Sequence, residues 1–249
     1  MSGGLIVERV ALVAALTALT RIVERRNTIP ILSNVMLTAK GGVLNLTASD
    51  LDLQATIPVK CEGEADYTLV AHLLHDLVKK LPEGAEISLE ANTDKGGVKM
   101  VSGRSRFALQ SLPSSDFPAL TEGSYSHTFD MPGEALARIL SRCSFAISNE
   151  ETRYYLNGIY LHAIENAGTL VLRAVATDGH RLSRCETDAP IGCEGMPGII
   201  VPRKTVAEII KMASAADVVS VSLSDSKIRI AAGGATLISK LIDGTFPDY

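Results

Sequence analysis

Residues 8–26 read "ERVALVAALTALTRIVERR", and this stretch predicts an amphipathic α-helix. Its large apolar side chains recur at intervals of three and four residues, which places them on one helical face: Leu12, Leu16, Leu19 and Val23. The arginines and glutamates fall elsewhere on the helix. The pattern returns at residues 133–143, "GEALARILSRC", where two leucines match two of the first helix at an offset of 124 residues. A pattern that returns half a chain later indicates an internal duplication.

The elements predicted after each of these helices follow the same order. A second helix follows in each half, "AHLLHDLVKKLP" and "RKTVAEIIKMA", with short strands rich in Val, Leu, Ile and Thr before and after it. Short motifs repeat as well: "ASD" matches "ATD", and Phe117-Pro118 matches Phe246-Pro247. The sequence therefore predicts an α+β protein of two similar domains, residues 1–122 and 123–249, each with two helices packed on antiparallel sheets.

The composition is that of a globular protein with an aliphatic core. Of the 249 residues, 46% are hydrophobic, 4% are aromatic and none is Trp. No window approaches the length of apolar sequence that crosses a bilayer, and the start of the chain does not resemble a signal peptide, so we expect a cytoplasmic protein. The cysteines form no CxxC pair, which argues against a structural metal and a disulfide framework: Cys61, Cys143, Cys185 and Cys193. We expect no cofactor.

A search for catalytic motifs finds one candidate, "VATDGHRL" at residues 175–182. Asp178 and His180 could orient one another for proton transfer, or they could belong to a turn. Asp50 and Asp52 could likewise be metal ligands or turn residues. The glycine pairs fit no phosphate-binding loop and are typical of hairpin turns. A hydrolase or metal-dependent enzyme using Asp50, Asp178 and His180 is therefore the alternative function.

Basic residues favour a different function, because every predicted helix carries at least two of them. They lie at the ends of the first two helices and along the other two: Arg21, Arg25, Arg26, Lys79, Lys80, Arg138, Arg142, Arg203, Lys204 and Lys211. Such residues near a helix C-terminus also stabilise the helix dipole. On four helices of a duplicated fold they could instead form one surface that contacts phosphates without reading base sequence, although the net charge is −4.

Six motifs in order resemble the bacterial sliding clamp family, the β subunit of DNA polymerase III, along essentially the whole chain: "RRNTIPILSNVML", "SGRSRFALQSLPSSDFP", "RYYLNGIYL", "VATDGHRL", "IVPRK" and "SKLIDGTFPDY". The resemblance implies the DNA-clamp fold and a non-enzymatic processivity factor for replication. Its members have three similar domains, pair head to tail into a homodimer ring and thread duplex DNA through the hole. They tether the polymerase III catalytic subunit, the clamp loader and other proteins with a clamp-binding motif.

The resemblance also assigns residues. Matching positions imply DNA contact by one group: Arg26, Lys79, Lys80, Tyr154, Tyr155, Arg203, Lys204 and Lys211. Others correspond to a hydrophobic cleft that accepts an extended partner peptide: Leu156, Thr177, Gly179, His180, Arg181, Leu182 and Pro247. Glu150 stands where family members can have a neutral DNA-contacting side chain. Asp178 has a counterpart in Asp50, whereas the four residues after it are expected to have none.

The chain departs from the family pattern at its end, because "FPDY" falls where the second domain finishes. The third clamp domain, with part of the cleft and one ring-closing surface, is therefore expected to be absent from this chain. A chain of this kind would not close the usual two-chain ring. An adaptor module without DNA contact is a further alternative, which charge reversal at Arg26, Lys79 and Lys211 would distinguish.

Overall fold

The computed structural model describes residues 4–25, 27–92, 97–121 and 123–249. It divides into two compact units between Leu120 and Thr121. The described residues of the first unit form two α-helices and nine strands: β1 Leu5–Glu8, α1 Arg9–Leu19, β2 Asn34–Lys40, β3 Val43–Ser49, β4 Leu53–Glu62, β5 Ala65–Val70, α2 Ala71–Lys79, β6 Glu86–Ala91, β7 Val98–Ser102, β8 Ser105–Leu109 and β9 Ser111–Leu112. Short 3-10 helices lie at Pro30–Ser33 and Ser114–Asp116.

The second unit repeats this order of helices and strands. Its elements are β10 His127–Pro132, α3 Gly133–Ser144, β11 Gly158–Asn166, β12 Thr169–Thr177, β13 Leu182–Asp188, β14 Ile199–Pro202, α4 Arg203–Ser214, β15 Val218–Leu223, β16 Lys227–Ala232 and β17 Ala235–Lys240. A 3-10 helix at Glu151–Leu156 precedes β11, in the position that Pro30–Ser33 takes before β2.

Strand pairing repeats as well, and the pairs named below are all antiparallel. In the first unit β2 pairs with β3 and β5, and β3 pairs with β4. In the second, β11 pairs with β12 and β14, and β12 pairs with β13. The order β1-β6-β7-β8 is matched by β10-β15-β16-β17. The predicted α+β fold, with two helices per unit on antiparallel sheets, is confirmed.

The core of the second unit lies between its two sheets and beneath its helices. Leu136 and Leu140 of α3 and Ile209 of α4 meet side chains from both sheets, including Leu172 and Val221, around one enclosed apolar space. Each of these residues is buried. Leucine, isoleucine and valine at helical and strand spacing therefore fill most of this interior.

The first helix is shorter than predicted. α1 ends at Leu19, after which the N–H groups of Arg21 and Ile22 bond three residues back, to Ala18 and Leu19. The tighter turns end the α-helical pattern although Val23 remains buried. The prediction that Arg21 and Arg25 lie on this helix was wrong. Arg21 still serves its C-terminus, since Nη1 donates to the Thr17 carbonyl at 3.0 Å.

No helix among the described residues is long and apolar enough to span a membrane. All four cysteines are free thiols, two of them buried.

Candidate peptide cleft and basic surfaces

The "TDGHR" segment between β12 and β13 is a hydrogen-bonded turn closed by Asp178. Its Oδ1 accepts the backbone N–H groups of His180 and Arg181 at 3.0 and 3.1 Å. Its Oδ2 accepts Nε of Arg181 at 2.9 Å. The bond from the His180 N–H, together with those from Arg181, holds the pKa of the Asp178 carboxyl below its ordinary value. This carboxylate therefore stabilises the turn in its ionised form, and it is poorly suited to donate a proton.

The first unit contains the same turn between β3 and β4. Asp50 Oδ1 accepts the N–H groups two and three residues on, from Asp52 at 3.0 Å and Leu53 at 2.7 Å. The preceding hydroxyl also repeats its role, because Ser49 Oγ accepts the N–H of Leu51 as Thr177 Oγ1 accepts that of Gly179. The interpretation of both aspartates as turn residues is confirmed.

Gly179 also has a structural counterpart, contrary to the prediction that the residues after Asp178 have none. Its φ is +88°, and the matching residue, Leu51, has φ +80°. The duplicated turn therefore imposes a left-handed residue at this position in both units. The first unit holds a leucine there in a conformation that favours glycine.

The side chain of Arg153 gives Gly179 a second reason to be glycine. A Cβ atom at residue 179 would lie 2.6 Å from Nη1 of Arg153. That guanidinium is fixed by two bonds to the Glu150 carboxylate, at 2.7 and 2.6 Å, and by a third to the Asp178 carbonyl at 3.3 Å. The bonds from Arg153 hold the pKa of Glu150 below its ordinary value. Glu150 is thus engaged by Arg153, an i,i+3 partner that the sequence analysis missed although the spacing could have indicated it.

His180, Arg181 and Leu182 are exposed at the tip of this turn and the start of β13. The Arg181 guanidinium carbon lies 5.5 Å from the ring centroid of Phe145, which follows α3 and is 58% exposed. Phe145 was missed by the sequence analysis, because nothing in the spacing predicts that an aromatic residue after the helix meets the turn.

An apolar floor lies beside the turn. Leu156, Val175, Ile200 and Phe246 form one buried cluster, and partly buried Tyr155, Tyr160 and Ile242 pack against it. Thr177 and Leu182 are directly opposed and lie on either side of the turn. Thr177 ends β12, the strand that contributes Val175 to this cluster. Pro247 follows Phe246 and is exposed. The structure thus places Leu156 in this buried cluster, Thr177 to Leu182 in the turn that follows β12, and Pro247 next to Phe246 of the cluster.

The predicted DNA-contacting residues lie at several kinds of position. Lys79 and Lys80 are exposed at the C-terminal end of α2, and Lys211 lies in the last turn of α4. Tyr154 is 54% exposed on the 3-10 helix, and Tyr155 is packed edge-on against it with ring centroids 5.8 Å apart. Lys204 is the second residue of α4. Arg26 lies outside the described residues.

Two of the basic residues are already engaged within the second unit. Lys211 Nζ lies 2.7 Å from Oε1 of Glu208, which offsets part of its charge. Arg203 donates to the backbone carbonyls of Ile147 and Ser148 after α3. His72, near the start of α2, contacts the Val23 carbonyl after α1 at 3.1 Å in the same way. In each unit, a side chain near the start of the second helix therefore contacts the backbone after the first helix. Arg203 makes this contact in the second unit and His72 makes it in the first.

No three His, Cys, Asp or Glu side chains within the described ranges are grouped so as to hold a metal ion.

The duplicated arrangement of helices and antiparallel sheets is that of a DNA-clamp protein, and comparison with known families specifies which. Residues 4–121 match the DNA polymerase III beta subunit, N-terminal domain, and residues 130–248 match its central domain. The chain belongs to the DNA polymerase III beta subunit family, the sliding clamps that serve polymerase processivity.

Individual relatives agree with this assignment. The chain is 46% identical to the beta sliding clamp of Caulobacter vibrioides and 38% identical to that of Escherichia coli, over 98% of its length in both cases. A crystal structure of the Caulobacter crescentus beta sliding clamp superposes with a TM-score of 0.96 at 45% identity, covering 100% of this chain and 67% of that one. A Pseudomonas aeruginosa clamp bound to griselimycin gives 0.91 at 37% identity, with coverage of 100% and 67%. The chain spans 67% of the Caulobacter relative and 66% of the Escherichia one.

Proposed function

We propose that this chain contacts duplex DNA without sequence specificity and tethers replication and repair proteins through a peptide cleft in its second unit. In the complete protein it acts as part of a head-to-tail homodimer ring around DNA. The protein has no catalytic role, requires no cofactor and acts in the cytoplasm. The partners are the polymerase III catalytic subunit, the clamp loader and other proteins that carry a clamp-binding motif.

Lysine placement on the helices supports the DNA contact. Lys79 and Lys80 are exposed at the end of α2, and Lys211 lies in the last turn of α4 in the other unit. Long flexible side chains of one sign suit contacts to phosphates, which do not fix a register on the duplex. The net charge of −4 keeps such contacts weak, so that a tethered clamp stays free to slide.

A direct test measures the affinity of the full chain for a fluorescein-labelled duplex as a function of salt concentration. The duplex has 24 base pairs, which is on the order of two helical turns. The triple variant Lys79→Glu, Lys80→Glu and Lys211→Glu should weaken binding more than tenfold at low salt and flatten the slope of log affinity against log salt. Lys40→Glu with Lys60→Glu, two exposed lysines on strands, is the control. Equal losses in both variants would argue for a non-specific charge effect and against a helix surface.

The apolar floor with an exposed rim supports the peptide cleft. Leu156, Val175 and Ile200 are buried in this floor, partly buried Tyr155, Tyr160 and Ile242 pack against them, and Leu182 at the rim is 48% exposed. Positive φ at Gly179 brings backbone to the surface where an extended peptide can approach it. His180 and Arg181 frame this rim as walls, since the carboxylate beside them is committed to the turn.

The cleft is tested with a labelled extended pentapeptide carrying two leucines and one phenylalanine. His180→Ala and Leu182→Ala should each weaken its binding, and a matched Leu51→Ala in the duplicated turn of the first unit should not. If His180 were a catalytic base, its replacement would abolish a hydrolytic rate measured without DNA or peptide, and leave peptide affinity unchanged.

We also propose that each half is a domain, with bounds 1–122 and 123–249, and that a third domain supplies the rest of the ring. Separate expression of the two halves, followed by circular dichroism, should show cooperative unfolding of each. Two features of the first unit suit association into a ring. β8 lies at one end of the strand order of its sheet and so has an edge open to pairing, and Leu73 on α2 is an apolar side chain that is 47% exposed. Light scattering of a longer form should show a dimer. A plasmid-loading assay should then show that circular DNA retains this dimer and that linear DNA releases it.

A further inference from the structure

A row of polar side chains crosses the sheet of the second unit at a place that the proposed cleft does not use. His162 on β11, Arg173 on β12 and Glu186 on β13 are directly opposite one another on neighbouring strands. His162 and Arg173 are each only 8% exposed. Buried polar groups are costly unless they have hydrogen-bond partners. The partners of these side chains therefore indicate the role of the row.

Tyr249 supplies the missing partner. Its hydroxyl oxygen lies 2.7 Å from Nε2 of His162 and 3.3 Å from Nη1 of Arg173, and Arg173 Nε donates to Glu186 at 2.8 Å. Arginine only donates, so the phenol oxygen accepts from Arg173, which leaves its O–H available to donate to Nε2 of His162. In that arrangement His162 is a neutral acceptor at Nε2. Burial, and then the charge of Arg173, lower its pKa in agreement with that state.

The same segment has an apolar anchor three residues earlier. Phe246 is buried in the cleft floor and stacks on Tyr160, with ring centroids 5.0 Å apart. Tyr160 in turn stacks on His162 at 4.6 Å. Further back, the N–H of Ile242 bonds to the Ile200 carbonyl at 3.0 Å. Pro247 thus lies between an aromatic anchor and a polar one.

We propose that His162, Arg173 and Tyr249 are positioning residues of the peptide cleft. They fasten residues 241–249 across β11 and β12, and this contact holds Pro247 at the edge of the floor formed by Leu156 and Phe246. The bond from Ile242 and the buried ring of Phe246 hold the segment only before Pro247, whereas Tyr249 adds an anchor after it, so that Pro247 is held from both sides. The assignment rests on the proposed cleft.

The test uses the full chain and the labelled pentapeptide with two leucines and one phenylalanine. Tyr249→Phe keeps the ring and removes the hydroxyl, so peptide affinity should fall about fivefold to tenfold, as the loss of one hydrogen bond to the buried His162 allows. His162→Leu should have the same effect, and the double variant should bind no worse than either single one, because the two groups act through one contact. His162→Gln, which restores an acceptor, should recover most of the affinity.

Hydrogen exchange provides a readout that general destabilisation does not mimic. In Tyr249→Phe, exchange at residues 241–248 should rise while that of β11 to β13 stays unchanged. Tyr67→Phe, a partly buried tyrosine on β5 of the first unit, is the matched control for loss of one phenol hydroxyl.

The outcomes separate this assignment from the proposed function. A wild-type chain that does not bind the peptide overturns the cleft, and the assignment with it. Wild-type binding with an equal affinity in Tyr249→Phe, or a double variant whose losses simply add, overturns the assignment alone. Exchange that rises throughout the second unit shows a merely structural role and also overturns it.

Discussion

Replacing Gly179 by alanine should destabilise the second unit through two effects that the structure separates. The backbone at this residue has φ +88°, where an L-residue costs about 1–2 kcal/mol. The loss of glycine's freedom in the unfolded chain offsets about 0.4–1 kcal/mol of this. The backbone effect alone is therefore about 1 kcal/mol. The new Cβ would also lie 2.6 Å from Nη1 of Arg153, which adds a cost because two bonds to Glu150 restrain that side chain.

Urea and thermal unfolding followed by circular dichroism measure the sum of both effects. For a unit of this size, each 1 kcal/mol should lower the midpoint of its transition by about 3–5 °C. Gly179→Ala in an Arg153→Ala background should cost only the backbone part, so the difference between backgrounds measures the Arg153 contact. Leu51→Ala is the control, since residue 51 is already left-handed and non-glycine, and should change stability by at most about 0.5 kcal/mol.

Two results would refute this reasoning. An unchanged midpoint in both backgrounds would mean that the turn adapts and that its left-handed geometry is not imposed by the fold. A full loss that persists without Arg153 would mean that the contact contributes nothing.

Three further predictions concern the same unit. Arg203→Ala should lower its free energy of unfolding by about 1–2 kcal/mol in urea, and Arg203→Lys should not restore it, because one ammonium does not reproduce the fork that meets two carbonyls. The free energy of unfolding should fall as pH drops from about 7 to 5, since the pKa of His162 is below its ordinary value of about 6.5 and the unfolded state takes up the proton first. His162→Gln, with Arg173 and Glu186 kept, should flatten this dependence of stability on pH. Phe246→Ala should cost about 3–4 kcal/mol and abolish peptide binding, with Phe246→Leu less severe.

The two units show which parts of a duplicated fold are retained and which diverge. Asp50 and Asp178 close the same turn with the same two backbone bonds. The residue that follows is leucine in one unit and glycine in the other, with nearly the same φ. The contact from the second helix to the end of the first is made by His72 in one unit and by Arg203 in the other. Scaffold geometry is thus kept while side chains change around it.

Much of the secondary structure could be predicted because helix and strand periodicity is a local property. The helices at α2, α3 and α4 follow from their apolar spacing, and Pro82 after α2 marks where it can no longer continue. The same reasoning extended α1 too far, because Val23 continues the spacing although the backbone has tightened into a turn. Strands such as β1 and β14, with four residues each, are too short for periodicity to distinguish them from loops.

The candidate site divides in the same way. By itself the sequence determined the duplication, the turn aspartates, the basic residues of α3 and α4 and the motif resemblance, since each depends on residues close together or on patterns compared along the chain. Only the tertiary structure could show that Arg153 crowds Gly179, that Arg181 covers Phe145, and that Tyr249 meets His162. These contacts join residues far apart in sequence, up to 87 positions for the last pair. Strand order and register bring them together, and no local spacing carries that information.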